Sequence, residues 1–122
     1  MPVILIVNDE GPFRKQLRNV FDLGSGFDAC IEARSGSEAF AESCRQPPDL
    51  AILDFSLPDM SGLQLAEELK AIKPELSVFL LTEAYSAKFE KKALTCGITA
   101  VFSKLEDLTT LLANARATCG IE

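Results

Sequence analysis

Short apolar runs alternate along this chain with stretches whose apolar residues recur at helical spacing. Val3-Ile4-Leu5-Ile6-Val7 is aliphatic without a polar break, the pattern of a strand covered on both faces. Leu50-Ala51-Ile52-Leu53 and Val78-Phe79-Leu80-Leu81 have the same character. Phe27, Ala29, Ile31 and Ala33 alternate with Asp28, Cys30 and Glu32, which predicts a strand with one more polar face. Thr99 to Phe102 makes a further strand. Between these runs, Pro12 suits a helix start, and Phe13, Leu17, Val20 and Phe21 share one helical face until Gly24-Ser25-Gly26. Ser35-Gly36-Ser37 breaks the chain before a second helix over Glu38 to Arg45, which Pro47-Pro48 stops. After a loop from Asp54 to Ser61, Leu65, Leu69 and Ile72 mark the inner face of a third helix closed by Pro74. Residues 86–96 form a fourth, with Phe89, Ala93 and Cys96 inward and Gly97 as its stop. Leu108, Leu111, Leu112 and Ala115 line the last.

Five strands in strict alternation with five helices predict an α/β fold, a parallel sheet with helices on both faces. Strands one, three and four, being apolar throughout, belong at its centre. Such sheets bind ligands at the carboxyl ends of their strands, near a switch in strand order.

Composition narrows the field. The 122 residues suffice for one domain, taken as 1–122, and 48% apolar with 25% charged residues is ordinary for a soluble globule. The net charge of −6 argues against nucleic acid or anionic membrane as a partner of this segment. No apolar run approaches the roughly 20 residues needed to span a bilayer. The start, Met1-Pro2-Val3, lacks the basic flank of a signal peptide. Four scattered cysteines and no histidine leave no ligand set for zinc and no Ser-His or Cys-His pair. Free thiols in a reducing cytoplasm are expected.

The strand ends carry the chemistry. Asn8-Asp9-Glu10 follows strand one, Asp54 strand three, Thr82 strand four and Lys104 strand five. Carboxylates with carbonyls and waters suit Mg²⁺. A carboxylate beside such a cation can attack a phosphoryl donor and form an acyl phosphate. A hydroxyl and an ammonium would bind the remaining phosphoryl oxygens.

Val3 through Glu10, Ile52-Leu53-Asp54-Phe55-Ser56-Leu57-Pro58-Asp59-Met60-Ser61-Gly62, Leu80-Leu81-Thr82 and Phe102-Ser103-Lys104 together resemble the receiver domains of bacterial two-component response regulators. The likeness runs from Pro2 into the last helix, and Asp54 to Gly62 is its most specific part. It implies a flavodoxin-like, doubly wound sheet of order 2-1-3-4-5. It implies Asp54 as phosphoacceptor, with Thr82 and Lys104 contacting the phosphoryl group. Mg²⁺ would be held by Asp9, Asp54 and the backbone carbonyl of Ser56, with Asn8 acting through a water. The phosphoryl donor would be a sensor histidine kinase or phosphotransfer protein. The helix 4, strand 5 and helix 5 face would be a possible homodimer surface. Such a domain is a switch and not an enzyme beyond its own phosphorylation and dephosphorylation.

Four positions depart from the family pattern. Asn8 replaces an acid. Glu83 replaces a small residue after Thr82 and, pointing inward at ~6 Å from Asp54, would cost roughly 3 kcal/mol of repulsion; an outward position is expected. Leu105 replaces a proline, so a trans peptide after Lys104 is expected. Val101 stands where an aromatic is usual; Phe102 beside it belongs to the opposite face and the core, and Tyr85 is another aromatic for this surface. These departures leave open an alternative, a degenerate receiver that acts as an interaction or dimerisation module without phosphorylation.

Overall fold

The structure, a computed structural model, describes residues 2–22 and 26–121. Its elements run β1 (Val3–Val7), α1 (Gly11–Asp22), β2 (Ala29–Ala33), α2 (Gly36–Arg45), β3 (Leu50–Asp54), α3 (Gly62–Ile72), β4 (Ser77–Thr82), α4 (Ala87–Thr95), β5 (Ala100–Ser103) and α5 (Leu108–Thr118). All neighbouring strands pair in parallel, in the order β2-β1-β3-β4-β5. The chain winds outward from β1 to β2, then turns back past β1 to β3. The switch in order therefore falls between β1 and β3, and a crevice opens at their carboxyl ends.

The unbroken apolar strands follow from burial on both faces. Leu5, Val7, Ala51, Leu53, Val78 and Leu80 pack under α2, α3 and α4 with Ala39, Leu65, Leu69 and Ala93. Ile4, Ile6, Leu50, Ile52, Phe79 and Leu81 pack under α1 and α5 with Leu17, Phe21, Leu111 and Ala115. Each of the larger of these side chains, Val, Leu, Ile or Phe, contributes about 1.5–3 kcal/mol by leaving water. Val101 belongs to the first layer and Phe102 to the second, where its ring lies 5.1 Å from Phe79, as strand alternation predicts.

Three local expectations are corrected. Ser35-Gly36-Ser37 opens α2 instead of preceding it: Ser35 is its N-cap, accepting from the Glu38 N–H at 3.2 Å. The Asp59 carboxylate, from the loop after β3, accepts the N–H groups of Gly36 and Ser37 at 2.8 and 2.9 Å. Cys96 is exposed, because α4 ends at Thr95 and Gly97 turns the chain with φ +92°. Phe27 lies before β2 and joins the α1/α5 layer, edge-on to Phe21 at 5.5 Å, out of phase with Ile31. The stop expected at Gly24-Ser25 lies outside the described residues.

Half-buried Glu32 on β2 faces α1, accepting from Arg14 Nε at 3.0 Å and from Arg18 Nη1 at 2.6 Å. Asp49, just before β3, accepts from the Val3 N–H at 2.7 Å and from Lys73 Nζ at 2.9 Å. The four thiols are free, and burial pushes that of Cys30 up to about 11, which disfavours its thiolate at neutral pH. Among the described residues no helix is long and apolar enough to cross a membrane.

Burial alone would raise both carboxyls, but the Val3 N–H and Lys73 hold Asp49, and Arg18 and Arg14 hold Glu32, below their ordinary values. Folded values below unfolded ones give stability that is complete above about pH 5 and lost as pH falls through the carboxylate range. Urea midpoints measured from neutral pH down to about pH 3 should therefore fall steeply in the wild type. They should fall less steeply in Asp49→Asn, and an equal slope in both proteins would contradict this account.

Candidate functional site

Asp54 ends the central strand β3, flanked by the ends of β1 and β4, and is buried. The loop after it turns back at once: Phe55 N–H donates to the Leu81 carbonyl at 2.8 Å, and Gly62 N–H to the Phe55 carbonyl at 2.7 Å. Position 62 requires glycine, since a Cβ there would lie 2.5 Å from the Asp54 carbonyl oxygen and 2.7 Å from Leu80 Cδ1.

Three donors meet the Asp54 carboxylate. Ser56 N–H reaches Oδ1 at 3.2 Å, Asn8 Nδ2 reaches Oδ2 at 3.0 Å, and Lys104 Nζ lies 2.7 Å from the same oxygen. Lys104 also bonds Glu10 Oε1 at 2.8 Å and sits 5.5 Å from the centre of the Phe13 ring. Its side chain is only 11% exposed. The hydrogen-bond partners orient the Asn8 amide, because its Oδ1 accepts from the Glu10 N–H at 2.7 Å. Thr82 is buried beside this group, and its Oγ1 accepts from the Ala84 N–H at 3.1 Å. A cleft of about 520 Å³ opens over Asp54, lined also by Asp9, Glu10, Ser56, Thr82, Glu83 and Lys104.

Burial pushes the Asp54 carboxyl above its ordinary value, against the pull of Lys104 and the Ser56 N–H, and neighbouring Asp9 adds to the rise. Burial would lower the Lys104 ammonium, but Asp54 and Glu10 outweigh it and hold it above the ordinary lysine value. The two groups face each other with Lys104 Nζ 2.7 Å from Asp54 Oδ2.

The fold thus brings Asp9, Asp54, Ser56, Thr82 and Lys104 to one cleft, with Asn8 fully buried behind Asp54 and not among the lining residues. Glu83 points outward, its side chain 79% exposed and its carboxylate 3.8 Å from Lys104 Nζ. The peptide after Lys104 is trans, and Leu105 is exposed. Tyr85 is also exposed and donates its hydroxyl proton to Glu90 at 2.8 Å. Two contacts were not foreseen. Glu10 is visible in the sequence as a third polar residue after β1, but nothing marks it as a partner of Lys104, 94 residues away. Arg14, whose Nη1 donates to the Asn8 carbonyl at 2.8 Å, carries no sequence signal at all.

The donor set suits Mg²⁺. No three acidic or thiol side chains among the described residues cluster as a metal cage. The cleft is instead lined by Asp9, Asp54 and Ser56, two of them carboxylates, with room for waters. Hard oxygen groups with water beside them would fit Mg²⁺ better than a softer ion.

The family of response regulator receiver domains matches residues 4–116, and the chain belongs to it. Among curated proteins it is 35% identical over 121 residues to the probable transcriptional regulatory protein TcrX of Mycobacterium tuberculosis, covering 96% of this chain and 51% of that one. It is 38% identical over 88 residues to the phosphate regulon transcriptional regulatory protein PhoB of Pseudomonas aeruginosa, covering 72% of this chain and 37% of that one. The chain thus spans about half or less of the length of these relatives. Among solved structures, the CheX–CheY–BeF3–Mg²⁺ complex from Borrelia burgdorferi has the same fold, with a TM-score of 0.87 at 22% identity over 97% of this chain and 89% of that one.

Lys104→Met should leave the buried Asp54 charge answered only by neutral donors. We expect a loss of about 2–3 kcal/mol at neutral pH, below the full cost of breaking a deeply buried pair because the cleft is open to water. The Asp54 carboxyl should rise further in this variant, so the loss should shrink as pH falls through that raised value and neutralises it. Urea unfolding near pH 7 and near pH 5 tests this, and a pH-independent loss would count against it.

Proposed function

We propose that this receiver domain, one unit over residues 1–122, takes a phosphoryl group on Asp54 from a sensor histidine kinase or a phosphotransfer protein. The observation that carries the reading is the Asp54 carboxylate at the β1/β3 switch point, buried yet open to a cleft, with Lys104 Nζ 2.7 Å away. A carboxylate oxygen attacks phosphorus in line, the bond from phosphorus to the donor's imidazole nitrogen breaks, and the imidazole leaves with its electron pair. Water later hydrolyses the acyl phosphate and resets the domain.

Ser56 N–H and Asn8 Nδ2 orient the Asp54 carboxylate for this attack. Lys104 holds it before transfer and turns to a phosphoryl oxygen afterwards, while the Thr82 hydroxyl, whose Oγ1 accepts from the Ala84 N–H, donates its proton to another. Asp9, Asp54 and the Ser56 carbonyl hold Mg²⁺, which when bound neutralises charge on the phosphoryl oxygens. Asn8 acts on Asp54 directly through its amide. The face of α4, β5 and α5 passes the change to an output segment, a partner or a second copy, in the cytoplasm. The transferring chemistry is the domain's own modification and not turnover of a separate substrate.

Incubation with Mg²⁺ and acetyl phosphate, read by intact mass, should give a single phosphoryl adduct in the wild type and none in Asp54→Asn. An adduct that persists in Asp54→Asn would remove Asp54 as acceptor. No adduct from any donor would make the domain a phosphorylation-independent binding module.

Asn8→Asp should put a second carboxylate where an amide nitrogen now lies 3.0 Å from Asp54 Oδ2. Without Mg²⁺ this variant should lose about 1–3 kcal/mol, through a lost hydrogen bond and like-charge repulsion. Added Mg²⁺ should stabilise it more than it stabilises the wild type, as thermal melts across a Mg²⁺ series will read. Equal stability of the two apo proteins would contradict the role given to the Asn8 amide.

A further inference from the structure

Asn8 is held at every polar atom it has. Its N–H donates to the Ala33 carbonyl at 3.1 Å, its Oδ1 accepts from Glu10 N–H at 2.7 Å, and its Nδ2 donates to Asp54 Oδ2 at 3.0 Å. The fourth contact differs in kind. The Asn8 carbonyl, at the end of β1, accepts from Arg14 Nη1 at 2.8 Å. A carbonyl at a strand end can be satisfied by water. Here it is given to a guanidinium that has an anchor of its own. Arg14 Nε donates to Glu32 Oε1 at 3.0 Å, and the other Glu32 oxygen accepts from Arg18 Nη1 at 2.6 Å. The Arg14 side chain is only 17% exposed, so its fork is held in one place. A continuous chain of hydrogen bonds thus runs from Arg18 through Glu32, Arg14 and Asn8 to Asp54, from the edge strand to the centre of the cleft.

We infer that Arg14, oriented by Glu32, is a positioning residue for the Asp54 site: it fixes the Asn8 peptide so that the side-chain amide nitrogen faces Asp54. The inference rests on the phosphoacceptor reading of Asp54 for its consequence, though not for its geometry. The guanidinium suits the task because one fork can donate to a carboxylate and to a carbonyl at once. A lysine keeps the charge but replaces the planar fork with a single point donor. If the cluster served only to close the edge of the sheet, its loss would lower stability slightly, as for exposed ion pairs, and leave the cleft's chemistry alone.

The test uses ¹⁵N-labelled protein and the variants Arg14→Lys, Arg14→Gln and Glu32→Gln. The Asn8 side-chain amide resonances, shifted and slow to exchange in the wild type, should move and exchange faster in all three. With Mg²⁺ and acetyl phosphate, adduct formation should slow on the order of tenfold in both Arg14 variants, as expected for an outer-shell partner. In an Asn8→Ala background, Arg14→Gln should bring no further slowing, since the relay is already cut. Wild-type rates in Arg14→Lys, an equal slowing with and without Asn8, or unmoved Asn8 amide resonances would each overturn the inference. If the wild type accepts no phosphoryl group, the phosphoacceptor reading fails, and the amide resonances still decide the positioning role. Should Arg14→Gln fail to fold, Glu32→Gln enters the same double-mutant comparison in its place.

Discussion

Asp54 carries a charge withdrawn from bulk water, and that charge has to be answered from inside the protein. Lys104 answers most of it, at 2.7 Å, and the amides of Asn8 and Ser56 take up the remaining contacts. Much of the local structure serves this arrangement. Gly62 allows the loop after β3 to fold back onto the Asp54 peptide. Asp59 ties that loop to the start of α2. Glu10 shares the Lys104 ammonium, and Phe13 lies under it. None of these residues need touch a phosphoryl group, yet each limits where Asp54 or its partners can move.

The sheet makes the arrangement possible. Five parallel strands all present their carboxyl ends on one edge, and the reversal of order between β1 and β3 leaves room there for a cleft. The same parallel packing requires apolar residues on both faces of β1, β3 and β4, which excludes water from the strands right up to the polar residues that end them. Burial at that edge raises the Asp54 carboxyl, and the ammonium carried just after β5 pulls it back down. Fold and reactivity are therefore two results of one hydrophobic pattern.

That pattern is plain in the sequence, and with it the central strands and the convergence of Asp9, Asp54, Thr82 and Lys104; the strand order came only with the family resemblance. Phe102 could be assigned to the core because strands alternate strictly. The failures have physical causes as definite. A serine before a helix can break the chain or cap it, and at Ser35 the cap is joined by the Asp59 carboxylate, arriving from a distant loop to accept the Gly36 and Ser37 N–H groups. Cys96 fits the period of α4 but falls one residue past its last turn. Glu10 and Arg14 were missed because periodicity reports which face a residue occupies, not which side chain it meets across the sheet. The place of Asn8 behind Asp54 was not legible either, since it depends on the Glu10 N–H and Arg14 holding it there.

The central claim is that Asp54 is a buried carboxylate kept ionised by a close ammonium. Its most direct test is an NMR pH titration of the Asp54 side-chain carboxyl carbon in the free protein. A transition displaced above the ordinary aspartate value of 3.8 is expected. A transition at or below the ordinary value would mean that Asp54 is not desolvated as described. A carboxyl still protonated at neutral pH would mean that Lys104 does not hold its charge.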